Sequence, residues 1–195
     1  MTQSNRWLTW ANGVTSIRFL LTPLLVWAIV WRRVDVAVVI FALAVITDLA
    51  DGRIARYRGE VSSFGGVLDH ATDAFFVSLG MAAYSFRGAT PGALPPIIAL
   101  AFIQYALDSR TLAGRPLRTS RIGRSNGLAY FGLLGLLVLR DAAQPRGQDS
   151  IVLYGVGWIL VLTTLMSMVD RGLAWRATRR APDLHDAEKE GQSPH

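Results

Sequence analysis

Apolar residues in this chain come in long unbroken blocks, and that arrangement limits the fold more than any other feature. Val14–Trp31 contains one charged residue, Arg18. Val34–Ala50 contains only Asp35 and Asp48, both close to its ends. Ala74–Phe86, Pro95–Leu107, Gly127–Leu139 and Ile151–Val169 complete the set. A helix needs about 20 mostly apolar residues to cross a bilayer, within a range of roughly 17–25. The fourth and fifth blocks are short by that measure and need polar flanking turns to reach across. Lipid offers no water to backbone N–H and C=O groups, so spanning segments are helices or closed barrels. The blocks are continuous and do not alternate with period two, which favours helices. A soluble domain could hold 195 residues of which 51% are hydrophobic, but the blockwise distribution argues against one. The expected fold is all-α, a polytopic membrane protein with six transmembrane helices.

Charge sets the expected orientation. Six spans put both termini on one side. Of the 20 basic residues, Arg32, Arg33, Arg87, Arg140 and Arg146 fall on the opposite side and Arg18 lies inside the first block; the others share the side of the termini. Cytoplasmic connections carry the excess of Arg and Lys. The termini and the acidic connection between blocks two and three are therefore expected in the cytoplasm, with the protein in a bacterial cell membrane. The net charge of +6 suits contact with anionic headgroups. The basic residues border apolar blocks, so nucleic acid is not an expected partner. The absence of cysteine excludes disulfides, thiolate metal sites and Cys nucleophiles. Met1–Trp10 is polar, carries Trp7 and Trp10, and lacks a following small-residue cleavage site. It reads as an interfacial helix, not as a signal peptide.

The membrane domain is placed at residues 1–176, followed by a disordered cytoplasmic tail at 177–195, rich in charge and in Pro, Gly, Ser and His. Arg32-Arg33 makes the first turn, Arg56–Ser63 a polar turn, and Arg87–Pro91 the end of the third span. Asp108–Asn126 reads as a long basic connection and Asp141–Asp149 as a polar loop. Gly132, Gly135, Gly155 and Gly157 are expected to let helices approach closely.

Between blocks two and three lies an acidic run, Asp48-Leu-Ala-Asp51-Gly52-Arg-Ile-Ala55-Arg56, then Gly65, Asp69 and Asp73. Asp48 and Asp51 are three apart and share a helix face, as do Asp69 and Asp73, four apart on the next helix. A short polar turn makes the two helices antiparallel neighbours, so their acidic faces can converge. Converging carboxylates without cations repel and take up protons. Hard divalent ions resolve this, and Mg²⁺ favours few carboxylates plus water and phosphate oxygens. Two ions about 3.5–4 Å apart suit an in-line phosphoryl displacement. Gly52 and Ala55 expose helix backbone, Arg56 offers a planar fork for phosphate, and Gly65 permits close approach. Asp73, a turn deeper than Asp69, is the better acceptor for a proton from an attacking hydroxyl. Taken singly, any of these residues is as readily a solvated helix end.

The pattern D-x2-D-G-x2-A-R-x8-G-x3-D-x3-D, filled at Asp48, Asp51, Gly52, Ala55, Arg56, Gly65, Asp69 and Asp73, resembles that of the CDP-alcohol phosphatidyltransferase family. The resemblance implies a six-helix membrane enzyme with a cytoplasm-facing polar cavity and two divalent cations, Mg²⁺ or Mn²⁺. It implies that Asp48, Asp51 and Asp69 hold metal, and that Asp73 is the general base and also touches the second ion. It implies contacts to the CDP moiety from Gly52, Ala55 and Arg56, with Ser62 as a further nucleotide contact. Asn12, Thr15, Arg18 and Pro23 resemble the family's first-span pattern, in which Asn and Thr frame the nucleotide site; Ala11 stands where many members have Pro. Helix capping by Asn12 or Thr15 and snorkelling of Arg18 are the alternatives.

The implied reaction moves a phosphatidyl group from CDP-diacylglycerol to an alcohol acceptor and releases CMP. The motif does not fix which partner carries CDP, so transfer from a CDP-alcohol to diacylglycerol stays open. Arg121 and Arg124 attract an anionic acceptor such as an alcohol phosphate, or serve only the positive-inside bias. Glycerophosphate synthases of the family usually carry Lys after the last Asp and a Lys-x-Lys-Thr stretch before span five. Here Ala74 follows Asp73 and the later stretch is Arg-Ile-Gly-Arg-Ser-Asn, which weakens that reading. Ser125-Asn126-Gly127 either caps the fifth helix or lines the cavity. His70 is rotated about 100° from Asp69 around the helix and suits a supporting or packing role. Phe75, Phe76, Tyr84, Phe102, Tyr105, Tyr130 and Phe131 suit packing or lipid contact. A divalent-cation transporter would instead string acidic residues along several helices, and a catalytically silent scaffold would not need them. Members of the family are often dimers, which makes a homodimer an expectation.

Overall fold

The computed structural model describes residues 10–58, 63–111, 121–144 and 150–180. Among these the chain is all-helical, with six helices and no strand: α1 Trp10–Val30, α2 Val34–Arg58, α3 Ser63–Phe86, α4 Leu94–Thr111, α5 Arg121–Ala143 and α6 Ile151–Arg180. The expected interfacial helix at Met1–Trp10 lies outside the described residues, apart from Trp10 itself, which opens α1.

Each apolar block became a helix, but the helices overrun the blocks. α2 continues through Arg56 to Arg58, and α3 starts at Ser63, so both ends of the polar turn expected there are helical. The long basic connection shrinks in the same way, because α4 runs to Thr111 and α5 starts at Arg121. Asp141 belongs to α5, not to a loop, and α6 runs past Arg176 to Arg180. The physical reason is common to all four. An apolar block ends where burial in an apolar phase ends, whereas a helix ends only where its backbone hydrogen bonds are capped or broken.

The ends that are described carry such signals. Gly88, at φ +81°, closes α3: Ala89 N–H donates to the Tyr84 carbonyl and Gly88 N–H to that of Ser85, both at 2.9 Å, the paired bonds of a left-handed helix stop. Arg32 does the same for α1 at φ 52°, with Arg33 N–H donating to Ala28 at 2.8 Å. α4 opens on Leu94-Pro95-Pro96, where a missing N–H has no helical partner to lose. Ser150 accepts from Leu153 N–H at 3.4 Å at the start of α6.

The helices pack as a ring, α1 against α2, α2 against α5, α5 against α6, α6 against α4, α4 against α3, and α3 back against α1, with α3 also touching α5 across the middle. Leu25, Ile29, Phe76, Met81, Leu94, Leu134, Leu137 and Val138 fill the centre. Gly135 and Gly157 do permit close approach: a Cβ would stand 2.9 Å from the Phe41 ring and 2.5 Å from Pro91 respectively. Gly132 and Gly155 face open space, so the expectation fails for them.

The outer surface is apolar. Leu20, Trp31, Ile151 and Val152 are each about 70% exposed or more, far beyond the small patches soluble monomers show. One helix, Ile151–Leu173, is by itself long and apolar enough to cross a membrane; Thr15–Val30 and Leu94–Leu107 are apolar but shorter.

At one end of the bundle a charged cluster is sealed inside. Asp141 accepts from Arg87 Nη1 at 2.6 Å and Arg140 Nη2 at 2.8 Å, and from the Tyr84 hydroxyl at 3.4 Å. Arg87 also donates to the Ile29 carbonyl at 3.2 Å. α1, α3 and α5 are thereby tied together.

Candidate active site

The acidic pairs sit where α2 and α3 flank α1. Asp48 lies in the second half of α2, Asp69 and Asp73 in the first half of α3. Because α2 runs antiparallel to α1 and α3 parallel to it, the second half of α2 and the first half of α3 lie beside the same stretch of α1, and the three carboxylates meet. One ligand oxygen from each falls within 4.8 Å of the others. Behind them lies Arg18 of α1. Its Nη1 donates to Asp48 Oδ1 at 2.7 Å, and its guanidinium also donates to Oδ1 of Asp73 and of Asp69. Arg18 is fully buried, whereas the side chains of Asp48, Asp69 and Asp73 are 41%, 30% and 27% exposed. The snorkelling expected for Arg18 as one alternative is overturned: its partners lie beside it on α2 and α3.

Three oxygen donors this close suit a hard divalent cation, which takes carboxylate and water oxygens. The fit is also one of charge, since three carboxylates face a single guanidinium. The side chains of Asp51, Ala55 and Arg56, and the surroundings of Gly52 and Gly65, lie outside what is described, as do the side chains of Asn12, Arg121 and Arg124. Ser62 lies wholly outside the described residues. Thr15 is buried inside α1, one turn before Arg18; five residues past the first helical residue, it is not an N-cap.

Asp69, His70 and Asp73 precede the apolar block that starts at Ala74. His70 Nδ1 lies 3.6 Å from Asp69 Oδ2, so the two carboxylates of α3 differ in their surroundings: Asp69 faces the imidazole, and Asp73 lies one helical turn further along α3.

A cavity of about 710 Å³ opens beside the carboxylates. Asp48, His70 and Asp73 line it, and Arg18 does not. Its α5–α6 wall is polar, with Asn126, Thr164, Ser167 and Arg171. Thr163 donates to Asn126 Oδ1 at 3.2 Å, and Tyr130 and Thr164 share a hydrogen bond. The Arg171 guanidinium lies 5.4 Å above the Tyr105 ring, which in turn lies 5.8 Å from the His70 ring. Gly123 makes room for Arg171: a Cβ there would collide with its Nη2 and stand 3.1 Å from Ser167 Oγ. Phe102, Tyr105, Tyr130 and Phe131 line the cavity, whereas Phe76 and Tyr84 are core.

Comparison with known protein families matches residues 8–169 to CDP-alcohol phosphatidyltransferase. The chain belongs to the CDP-alcohol phosphatidyltransferase family. Comparison with curated proteins gives no match. Membership makes the protein a membrane-associated transferase of phospholipid biosynthesis, acting on a CDP-linked alcohol and an acceptor alcohol. The Asp triad agrees with the metal dependence typical of the family. Two roles in the site escaped sequence reasoning. Arg18 was legible as a lone charge in an apolar block and as part of the first-span resemblance, not as a group that holds carboxylates of α2 and α3. Arg171 was counted among the basic residues of the cytoplasmic side, with nothing to mark it as cavity-lining.

Proposed function

We propose that this transferase moves a phosphatidyl group from CDP-diacylglycerol to an alcohol and releases CMP. The observation that carries the reading is the convergence of Asp48, Asp69 and Asp73 within 4.8 Å at the edge of a large cavity. Asp48, Asp51, Asp69 and Asp73 hold two divalent cations, Mg²⁺ or Mn²⁺. When bound, such a pair neutralises diphosphate charge and steadies the entering and leaving oxygens of an in-line displacement.

Asp73 takes the proton of the acceptor hydroxyl. The freed oxygen forms a bond to the phosphorus that bears the diacylglycerol. The bond from that phosphorus to CMP breaks, and CMP leaves with the electron pair. Gly52, Ala55, Arg56 and Gly65, with Asn12, Thr15 and Ser62, surround the CDP moiety, and the Arg56 fork holds a phosphate. Positioning and electrostatics dominate, as in other phosphoryl transfers.

The acceptor lies on the α5–α6 side. Arg171 over Tyr105, with Ser167 beside it, favours an acceptor with an anionic group; Arg121 and Arg124 add to the local positive potential. All six helices span the membrane, with the site and both termini cytoplasmic, so that acyl chains stay in lipid while the headgroup reaches the carboxylates. A conduction path is less well supported. At the other end of the bundle Asp141 is closed by Arg87 and Arg140, and Asp35 is exposed beside Arg33.

The test is CMP release by the purified protein from CDP-diacylglycerol, with Mg²⁺ or Mn²⁺ and a panel of neutral and phosphorylated alcohols. EDTA should stop it. A parallel arm with CDP-alcohols and diacylglycerol covers the opposite placement of CDP. Absence of CMP release in every arm refutes the reading.

A further inference from the structure

Resting on the metal-dependent transfer proposed above, we infer that Arg18 is a positioning residue for the cation site. It is a buried fork behind the carboxylates that fixes one oxygen of each, while Asp48 and Asp73 border the cavity.

The geometry has three parts. First, the carboxylates come from two helices, and α1 packs against both; a single guanidinium on α1 reaches all three. Second, every one of its contacts to the triad uses Oδ1. Oδ2 of Asp48 and of Asp73 accepts no hydrogen bond from any described residue, and Oδ2 of Asp69 faces His70. Third, Arg18 is absent from the cavity wall that Asp48 and Asp73 help to form. The order from core to cavity is therefore guanidinium, carboxylate, open space. A cation entering from the cavity meets carboxylates whose rotation is already arrested.

Energetics favour the same assignment. Ionised carboxylates within 4.8 Å of one another repel, and left alone would splay or protonate. A planar fork with several N–H donors can bridge such a group; a point-charge ammonium cannot do so in the same geometry. Hydrogen-bond partners that orient ligating side chains are worth roughly 10–100-fold in metal affinity. A competing assignment makes Arg18 a stand-in cation that occupies the place of a metal ion. The two differ in sign. Loss of a stand-in, or of mere positive charge, tightens metal binding; loss of an orienting fork weakens it.

The experiment titrates Mn²⁺ into purified wild type, Arg18→Lys and Arg18→Gln, reading bound ion by electron paramagnetic resonance, with thermal unfolding in EDTA as the check on folding. Wild type should bind Mn²⁺, and both variants should bind it about 10–100-fold more weakly, Lys giving no full rescue. Should Arg18→Gln fail to fold, Arg18→Lys decides, because it keeps the charge and loses the fork. Unchanged or tighter Mn²⁺ binding in a folded variant overturns the assignment, including the case where stability alone falls. Absence of Mn²⁺ binding by wild type overturns the metal-dependent reading itself.

Discussion

Replacing Asp141 with Asn should cost this protein more stability than any comparable polar change on its surface. Asp141 is 5% exposed. Its partners Arg87 and Arg140 have side chains only 6% and 13% exposed. Asn keeps the size and one acceptor oxygen but removes the negative charge, leaving two buried guanidiniums beside a neutral amide that has one acceptor oxygen for the two that Asp141 offers. Breaking one partner of a buried pair costs about 3–5 kcal/mol. The lower figure already shifts the folding equilibrium roughly a hundredfold, at 1.4 kcal/mol per factor of ten. Unfolding by SDS titration of detergent-solubilised protein, followed by tryptophan fluorescence, reads the change. A double variant, Asp141→Leu with Arg87→Leu, should recover about 1 kcal/mol or more relative to Asp141→Leu alone, because the stranded charge goes with its partner. A loss under about 1 kcal/mol for Asp141→Asn would refute the view that this cluster is a desolvated tie.

Asp73→Asn should lower kcat for CMP release by about 10²–10⁴, the usual worth of a general base, while CDP-diacylglycerol still binds; full turnover would remove Asp73 from that role. Gly123→Ala should displace the Arg171 guanidinium and raise the acceptor KM by about tenfold or more, given that hydrogen bonds to charged groups are worth about 1.5–3 kcal/mol; steady-state kinetics at saturating donor checks this. Gly88→Ala adds a Cβ that meets nothing within 4 Å, so its whole effect, a loss of about 1–2 kcal/mol in thermal or SDS unfolding, should come from the left-handed backbone.

How much of this was open to reading from sequence varies with the range of the interaction. The acidic pairs were legible because spacings of three and four place side chains on one helix face, and a short connection makes the helices neighbours. Both facts are local. The helices themselves were legible as apolar blocks, but their ends were not. Arg56–Arg58, Asp108–Thr111 and Arg140-Asp141 carry charge and are still helical, since charge does not interrupt backbone hydrogen bonding. Arg18 was visible as an isolated charge, yet whether it reaches water or a partner depends on which helices pack beside α1, residues 30 and 55 positions away. The same holds for Arg171, whose role in the cavity wall needs Gly123 of another helix to leave space.

The two charged clusters of this bundle answer one problem in opposite ways, and the difference explains why only one is a site. Each places ionised groups among helices that are otherwise apolar, where charge must be matched. Around Asp141, two guanidiniums enclose one carboxylate, with a backbone carbonyl and a tyrosine hydroxyl adding hydrogen bonds. No member of that cluster borders the cavity described above, so it works as a staple. Around Arg18 the ratio among the described residues is reversed: three carboxylates share one guanidinium, and two of them open onto the cavity. The local surplus is negative, it faces space large enough for a ligand, and its donors are all oxygen. Helix packing alone would have been served by a matched pair. A surplus of carboxylate held by a buried fork is stable only if a cation or a proton completes it, and that requirement is what suits this end of the bundle to the chemistry proposed for it.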